Sequence, residues 1–86
     1  MGKKPRPRPK RLAEKLLQIR NHLGLSQSEM YWKLDVEEFA ELKRISDYET
    51  GRSEPPLQVL LRYAQAVRIS TDVLIDDTID LPKRLI

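Results

Sequence analysis

Apolar residues recur in this chain at the three- and four-residue spacing of an α-helix, in short runs that glycine and proline interrupt. The first run lies within residues 10–23 and consists of Leu12, Leu16, Leu17, Ile19 and Leu23. Side chains at this spacing share one face of a helix, and such a face must be buried against another element. No stretch shows the alternating pattern of a strand. The chain is therefore predicted to be an all-α protein of short helices.

Residues that begin and end helices divide the first part of the chain into three segments. Gly24 ends the first helix, and Ser26 with Glu29 forms a capping box that begins the second. The third helix is predicted over residues 37–50, with Gly51 directly after it. Its apolar stripe consists of Phe39, Leu42, Ile45 and Tyr48.

Two further helices are predicted in the second part of the chain. Pro55 and Pro56 interrupt the chain and then open a fourth helix, because proline is tolerated in the first helical turn. Its predicted buried stripe consists of Leu57, Leu60, Leu61, Ala64 and Val67. Ser70 caps a short fifth helix. With short connections, the five helices are predicted to form one compact domain over residues 10–76, followed by a tail over residues 77–86.

The composition excludes several classes of protein. The 86 residues allow one domain, and with no cysteine and one histidine we expect no disulfide framework and no metal site. The chain lacks a Cys–His pair, a glycine-rich phosphate loop, a signal peptide and a segment that could span a bilayer. We therefore expect no enzyme, no cofactor, no small-molecule ligand and no membrane partner, and a cytoplasmic location. Asp76, Asp77 and Asp80 are interpreted as a solvated acidic face.

Positive charge is concentrated at one end of the chain. Residues 1–11 carry no acid and six basic residues, Lys3, Lys4, Arg6, Arg8, Lys10 and Arg11. Because the whole chain carries a formal charge of +3, the remainder carries −3. Prolines alternate with the basic residues, which favours a flexible, extended basic arm over residues 1–9. Such an arm indicates a polyanion partner, although a solvated tail that aids solubility has the same composition.

The second and third helices together fit a helix-turn-helix, in which the second of two linked helices displays polar and basic side chains. The major groove of B-DNA accepts one such helix. Between the apolar residues of the third helix lie Lys43, Arg44, Ser46 and Asp47. Any amphipathic helix also shows polar residues to solvent, so this pattern fits a groove-reading helix and an ordinary surface helix about equally.

Five short motifs within residues 12–75 resemble the lambda-repressor-like, Xre/Cro-type helix-turn-helix family. They are residues 16–20 (Leu-Leu-Gln-Ile-Arg), 24–30 (Gly-Leu-Ser-Gln-Ser-Glu-Met), 45–52 (Ile-Ser-Asp-Tyr-Glu-Thr-Gly-Arg), 55–60 (Pro-Pro-Leu-Gln-Val-Leu) and 69–75 (Ile-Ser-Thr-Asp-Val-Leu-Ile). Each motif alone is weak, but five in the right order are specific. The resemblance implies a compact five-helix bundle that contains a helix-turn-helix, in agreement with the helices predicted from periodicity.

The resemblance also implies which residues meet DNA. Gln27 is expected to contact the DNA backbone or a base, with Ser28 beside it at a helix end that favours phosphate. The residues that flank the Ile45–Ser46 pair are expected to face the groove, and Arg52 to approach a phosphate. Together with the basic arm, the predicted DNA-binding residues are Gln27, Ser28, Lys43, Arg44, Ser46, Asp47, Arg52, Lys3, Lys4, Arg6, Arg8, Lys10 and Arg11. Glu49 is expected to be structural.

Two features depart from the family pattern. Between Val36 and Ile45 the chain has about four residues more than usual, roughly one helical turn or 6 Å of rise. Tyr31 stands where the family has an alanine that lets the second and third helices approach closely. A tyrosine ring fits there only if the helices separate or the ring points away, and the longer link could carry the third helix around it. Trp32 is predicted to be partly buried.

Two functions are compatible with these features. The first is sequence-specific binding of double-stranded DNA by a small transcriptional regulator, nucleoid-associated when bound, that acts as a homodimer on a two-fold site. One domain covers only a half-site, and the apolar residues of about 70–86 are a candidate dimer surface unless the tail folds back on its own domain. The second is a helix-turn-helix-fold protein-interaction module, an adaptor or antitoxin-like partner with weak or no DNA binding.

Overall fold

A computed structural model describes residues 8–85 of the chain. These residues form five α-helices and no strand: α1 (Leu12–Leu23), α2 (Gln27–Leu34), α3 (Arg44–Thr50), α4 (Leu57–Ala66) and α5 (Thr71–Ile75). The predicted all-α, five-helix architecture is thus confirmed. Helix α1 contacts α3 and α5, while α2 contacts α3 and α4, so that one core lies between the helices. Within the described residues, no helix is long and apolar enough to cross a membrane.

The helix ends follow local signals in the sequence. Gly24 and Gly51 follow α1 and α3 with φ of 69° and 77°, in the left-handed region that glycine enters without steric penalty. The Ser26 hydroxyl accepts a hydrogen bond from the Glu29 N–H, and the Glu29 carboxylate accepts one from the Ser26 N–H. The predicted capping box is therefore present, and these bonds lower the pKa of Glu29.

Helix α4 buries three of the five predicted residues, Leu60, Ala64 and Val67, but not the other two. Its first residue, Leu57, is 76% exposed and Leu61 is 45% exposed, whereas Val59 and Tyr63 are fully buried. The buried set consists of Val59, Leu60, Tyr63, Ala64 and Val67. These positions follow the four-residue spacing of one stripe, and Leu57 and Leu61 lie on its flank. The prediction was wrong for Leu57 and Leu61, because leucines were assigned to the core by residue type.

The predicted third helix begins about two turns too early. Residues 37–43 form turns and loop, and α3 starts only at Arg44. The Tyr31 side chain is buried, and its hydroxyl donates to the Ala40 carbonyl over 2.8 Å. In a continuous helix that carbonyl would accept from the Arg44 N–H, which instead donates to the Glu41 carbonyl. The extra residues therefore pass around the tyrosine ring, and Leu42 is left exposed.

Trp32 was predicted to be partly buried, but its side chain is 61% exposed. Met30 and Leu34 place the buried face of α2 on the other side of the helix. The indole makes an edge-to-face contact with the Tyr31 ring, with the centroids 5.1 Å apart and the planes at 75°. Trp32 is thus a surface residue next to a buried aromatic one.

Lys15 is fully buried, which its position among the charged residues of α1 did not indicate. Its ammonium group donates to three backbone carbonyls, those of Val73, Asp76 and Ile79, at 2.7–3.0 Å. These carbonyls lie at and beyond the end of α5, where they lack helical partners. A buried charge is tolerated when hydrogen bonds replace its hydration, so Lys15 fixes the chain after α5 against α1.

The acidic residues after α5 are not simply a solvated face, as was predicted. The Asp77 carboxylate accepts from the backbone N–H groups of Lys10 and Arg11, which precede α1 and receive no cap from their own segment. Asp80 pairs with the Arg11 guanidinium at 2.6 Å. Residues 76–80 therefore cap the start of α1 from the other end of the chain.

We expect Asp77→Asn to lower the melting temperature at neutral pH, because the neutral amide accepts hydrogen bonds from these N–H groups more weakly. The hydrogen bonds from Lys10 and Arg11 lower the pKa of Asp77 from its ordinary 3.8. A depressed pKa gives a stabilisation that is present above pH 3.8 and is lost as the pH falls further. Thermal melts from neutral pH to about pH 2 should thus show a smaller acid loss in the variant than in the wild type.

Glu38→Gln is the matched control, since it removes an exposed carboxylate from the surface of the loop before α3. Its acid profile should follow that of the wild type. Equal acid profiles for the wild type and Asp77→Asn would show that Asp77 does not cap α1 in solution.

Candidate nucleic-acid interface

Helix α3 separates a buried face from a polar face, as a groove-reading helix requires. Ile45, Tyr48 and Glu49 are buried, while Arg44, Ser46 and Thr50 are exposed. The buried face packs against α1 and α2. Burial raises the pKa of the Tyr48 phenol, which therefore stays neutral. The polar side chains of α3 thus project from a helix whose position is fixed by the core.

An ion pair between Arg20 and Glu49 connects the elements around α3. The Arg20 Nε and Nη2 atoms donate to the two carboxylate oxygens of Glu49 at 2.6 and 3.0 Å, and Nη1 donates to the Leu25 carbonyl at 2.9 Å. Only 17% of the Arg20 side chain and 3% of the Glu49 side chain are exposed. This bidentate ion pair, with the bond to Leu25, joins α1, the turn before α2, and α3. The hydrogen bond to Glu49 raises the pKa of Arg20. The structural role expected for Glu49 is in keeping with this position.

Gln27 belongs to the same network. Its amide nitrogen donates to the Glu49 carboxylate at 3.1 Å. Because a carboxylate can only accept hydrogen bonds, this contact fixes the nitrogen toward Glu49 and the amide oxygen away from it. Ser28 follows on the exposed surface at the start of α2. The beginning of α2 is therefore held at a fixed distance from α3.

The basic side chains of α3 and its flanks are each close to an acid. Arg44 Nη1 lies 3.1 Å from Asp47 Oδ2, and Arg52 Nη1 lies 3.9 Å from Asp47 Oδ1. The Lys43 ammonium lies 3.9 Å from Glu41. Sequence reasoning placed Asp47 among the groove-facing residues but missed that it pairs with Arg44, although the three-residue spacing in a helix indicates such a pair.

The part of the basic arm that the structure describes divides into two positions. Arg8 donates to the Gly51 carbonyl at 3.2 Å and lies 3.9 Å from Glu54, so it borders the loop that carries Arg52. Lys10 and Arg11 lie instead against the residues after α5. Lys3, Lys4 and Arg6, also predicted to bind DNA, lie outside the described residues.

The structure thus brings most of the predicted residues to one region. Gln27 lies beside α3 because it donates to Glu49, and Arg8 lies beside the end of α3 because it donates to the Gly51 carbonyl. Arg11 donates to Asp80, Asp77 and Glu14 and, among the described members of the predicted set, has the most internal partners. The hydrogen bond that Arg11 donates to the Asp80 carboxylate raises the pKa of Arg11.

A solved structure matches this fold. The crystal structure of the P22 c2 repressor protein in complex with synthetic operator 9T, in the presence of Tl+, is similar to this chain with a TM-score of 0.65. The two sequences are 23% identical, and the match covers 77% of this chain and 94% of that chain. No protein-family model and no curated protein matches the chain. The lambda-repressor-like helix-turn-helix fold predicted from the five motifs is confirmed.

We expect Glu49→Ala to lower the free energy of unfolding by about 3–5 kcal/mol, because it leaves the Arg20 guanidinium buried without its partner. Urea denaturation measures this loss. Tyr63→Phe is the control, since it removes a polar group from another fully buried side chain.

No described residue accepts or donates a hydrogen bond at the Tyr63 hydroxyl. Removing that group relieves the desolvation of an unpaired hydroxyl, so Tyr63→Phe should be neutral or stabilising. A Glu49→Ala protein as stable as the wild type would refute the role assigned to the ion pair.

Proposed function

We propose that this protein binds double-stranded DNA in a sequence-specific manner and acts as a small transcriptional regulator. The observation that carries the proposal is the composition of α3, which is held by Ile45 and Tyr48 and offers Arg44 and Ser46 to a groove. Lys43 and Arg52 flank the helix on either side. A fold shared with a repressor crystallised on an operator supports the proposal.

The start of α2 supports a phosphate contact in the same complex. The first backbone N–H groups of a helix have no helical partner and, with the helix dipole, favour an anion. Gln27 and Ser28 occupy these positions, and Glu49 keeps the Gln27 side chain in place. In the proposed complex, Gln27 and Ser28 hold a phosphate while α3 lies in the major groove beside it.

The basic arm extends the proposed interface along the backbone. Arg8 lies next to Gly51, one residue from Arg52, so the arm enters the domain beside the loop proposed to approach phosphate. Additional Lys and Arg contacts to phosphate release counterions and strengthen binding without regard to sequence. We therefore propose that Lys3, Lys4 and Arg6 add sequence-independent affinity.

A protein-interaction module is the alternative, and one observation favours it. Trp32 is exposed on α2, and the neighbouring loop carries the exposed acids Glu37, Glu38 and Glu41. Aromatic residues are enriched in protein-binding surfaces, which are surrounded by a polar rim. Salt dependence separates the two functions, because DNA binding through phosphates weakens steeply as the salt concentration rises.

We expect Lys43→Ala with Arg44→Ala to abolish the preference for a specific duplex while the fold is retained. A bidentate Arg–guanine contact contributes roughly 1–3 kcal/mol of discrimination, and both side chains are exposed, so the core is not altered. Fluorescence anisotropy over a series of salt concentrations measures binding. The duplexes are one enriched from a random library by the wild type and one of unrelated sequence.

Lys83→Ala with Arg84→Ala is the matched control, because it removes the same exposed Lys-Arg dipeptide from the tail. This control should keep the wild-type preference. A chain lacking residues 1–7 should keep the preference but show a flatter salt slope, by about 0.9 for each lost phosphate contact. If the wild type enriches no duplex and shows no salt-dependent binding, the proposed DNA binding is wrong.

We also propose that the protein acts as a homodimer on a two-fold site. A single helix-turn-helix buries only about 600–1,000 Å² on DNA, which limits its specificity. Among the predicted dimer residues, Leu74 is fully buried in its own core, and Leu81 and Leu85 pack partly against it. Ile75 and Ile79 are exposed and are therefore the residues we assign to the dimer contact.

We expect Ile75→Glu with Ile79→Glu to prevent self-association, because charged side chains would have to be desolvated in the contact. In sedimentation experiments, the mass of the wild type should rise with loading concentration, and that of the variant should stay at one chain. Leu57→Glu is a control at an exposed leucine outside this surface. A wild type that stays monomeric at every loading and binds a palindrome without cooperativity would contradict the dimer.

A further inference from the structure

Asp47 is the acid that the guanidiniums of Arg44 and Arg52 share at the proposed DNA interface. Its Oδ2 atom lies 3.1 Å from Arg44 Nη1, and its Oδ1 atom lies 3.9 Å from Arg52 Nη1. The Asp47 side chain is 18% exposed, whereas those of Arg44 and Arg52 are 46% and 79% exposed. The carboxylate therefore sits behind the two basic groups, nearer the protein.

The backbone reinforces this arrangement. Arg44 and Asp47 are separated by three positions, which places them on one face of α3. The Asp47 carbonyl accepts from the N–H groups of Arg52 and Ser53 at 2.9 and 3.3 Å. Asp47 thus holds the loop that carries Arg52 through its backbone and orients Arg44 through its side chain.

An arginine recognises guanine by donating two parallel hydrogen bonds to O6 and N7. The side chain has several rotatable bonds, and the entropy lost on fixing them weakens the contact. A carboxylate that accepts from one N–H while leaving the others free fixes the guanidinium before DNA arrives. Such preorganisation increases the difference in affinity between guanine and the other bases.

We propose that Asp47 is a specificity-determining positioning residue. It holds Arg44 in the orientation that reads a guanine, and so the half-site contains a G·C pair at the position that Arg44 meets. This inference rests on the proposed function, since it assigns a role within the DNA complex.

Removal of Asp47 has opposite effects on affinity and on selectivity. Loss of a negative charge from a surface that faces phosphates strengthens binding to every duplex. Loss of the carboxylate that orients Arg44 at the same time weakens the preference for guanine. A residue that only stabilised the fold would lower both quantities together, so the two readouts identify the positioning role.

The experiment selects duplexes from a random library with the wild type, Asp47→Ala, Asp47→Asn and Arg44→Ala. We expect the wild type to enrich a site that contains a preferred guanine. Arg44→Ala should lose the preference for that guanine. Both Asp47 variants should lose that preference about tenfold at the same guanine, while an unrelated duplex is bound as tightly as before or more tightly. Replacing the guanine by 7-deazaguanine, which lacks N7, should weaken binding of the wild type and have little effect on the variants.

Glu38→Gln is the matched control, because Glu38 and Arg44 line the same surface depression and Glu38 contributes no ion pair to Arg44. It should strengthen binding to all duplexes and keep the guanine preference. Thermal melts check that each variant folds, and the isosteric Asp47→Asn replaces Asp47→Ala if the latter does not.

Three results separate failure of this inference from failure of the proposed function. If the wild type enriches no sequence, the proposed function itself is wrong. If the wild type enriches a site and the Asp47 variants keep its guanine preference, the positioning role is overturned. If Asp47→Ala relaxes a different base pair from Arg44→Ala, Asp47 contacts a base directly, and the positioning role is again overturned.

Discussion

The buried ion pair between Arg20 and Glu49 is the interaction on which the proposed interface depends. Neither charge could remain in the interior alone, because the desolvation of an unpaired ion exceeds what packing returns. Their two parallel hydrogen bonds therefore fix α1 and α3 at one separation. Two further hydrogen bonds extend the constraint: Arg20 donates to the Leu25 carbonyl, and the Gln27 amide donates to the Glu49 carboxylate. One pair of charges thus sets the relation between the start of α2 and α3.

Tyr31 imposes a second constraint, on where α3 begins. Its side chain is buried, and its hydroxyl donates to the Ala40 carbonyl. Residues 37–43, which include this carbonyl, form turns and loop, and α3 has only seven residues. A helix this short has little stability of its own. Its position depends on burial of Ile45 and Tyr48 and on the Glu49 ion pair.

The features predicted from sequence are those that neighbouring residues decide. The capping box at Ser26 and the left-handed turns at Gly24 and Gly51 depend on a few adjacent residues, and these predictions were confirmed. The start of α3, the buried face of α4 and the burial of Lys15 depend on residues distant in sequence, such as the carbonyls after α5. Periodicity alone contains no information on those partners. The region of the candidate interface was predicted, but the pairing of its charges was not.

The pairing of charges also decides which groups a DNA ligand would have to displace from the basic side chains of this surface. Arg11 is occupied by Asp80 and Asp77, and Arg44 and Arg52 share Asp47, so the negative charges of the domain lie close to its basic groups. A phosphate or base that approaches Arg44 therefore competes with a carboxylate at 3.1 Å rather than with water alone. Such competition lowers affinity for any polyanion that cannot match the fixed geometry. In the proposed DNA complex, the acids near the basic residues would favour ligands of matching geometry, while the arm, which contains no acid, would add positive charge.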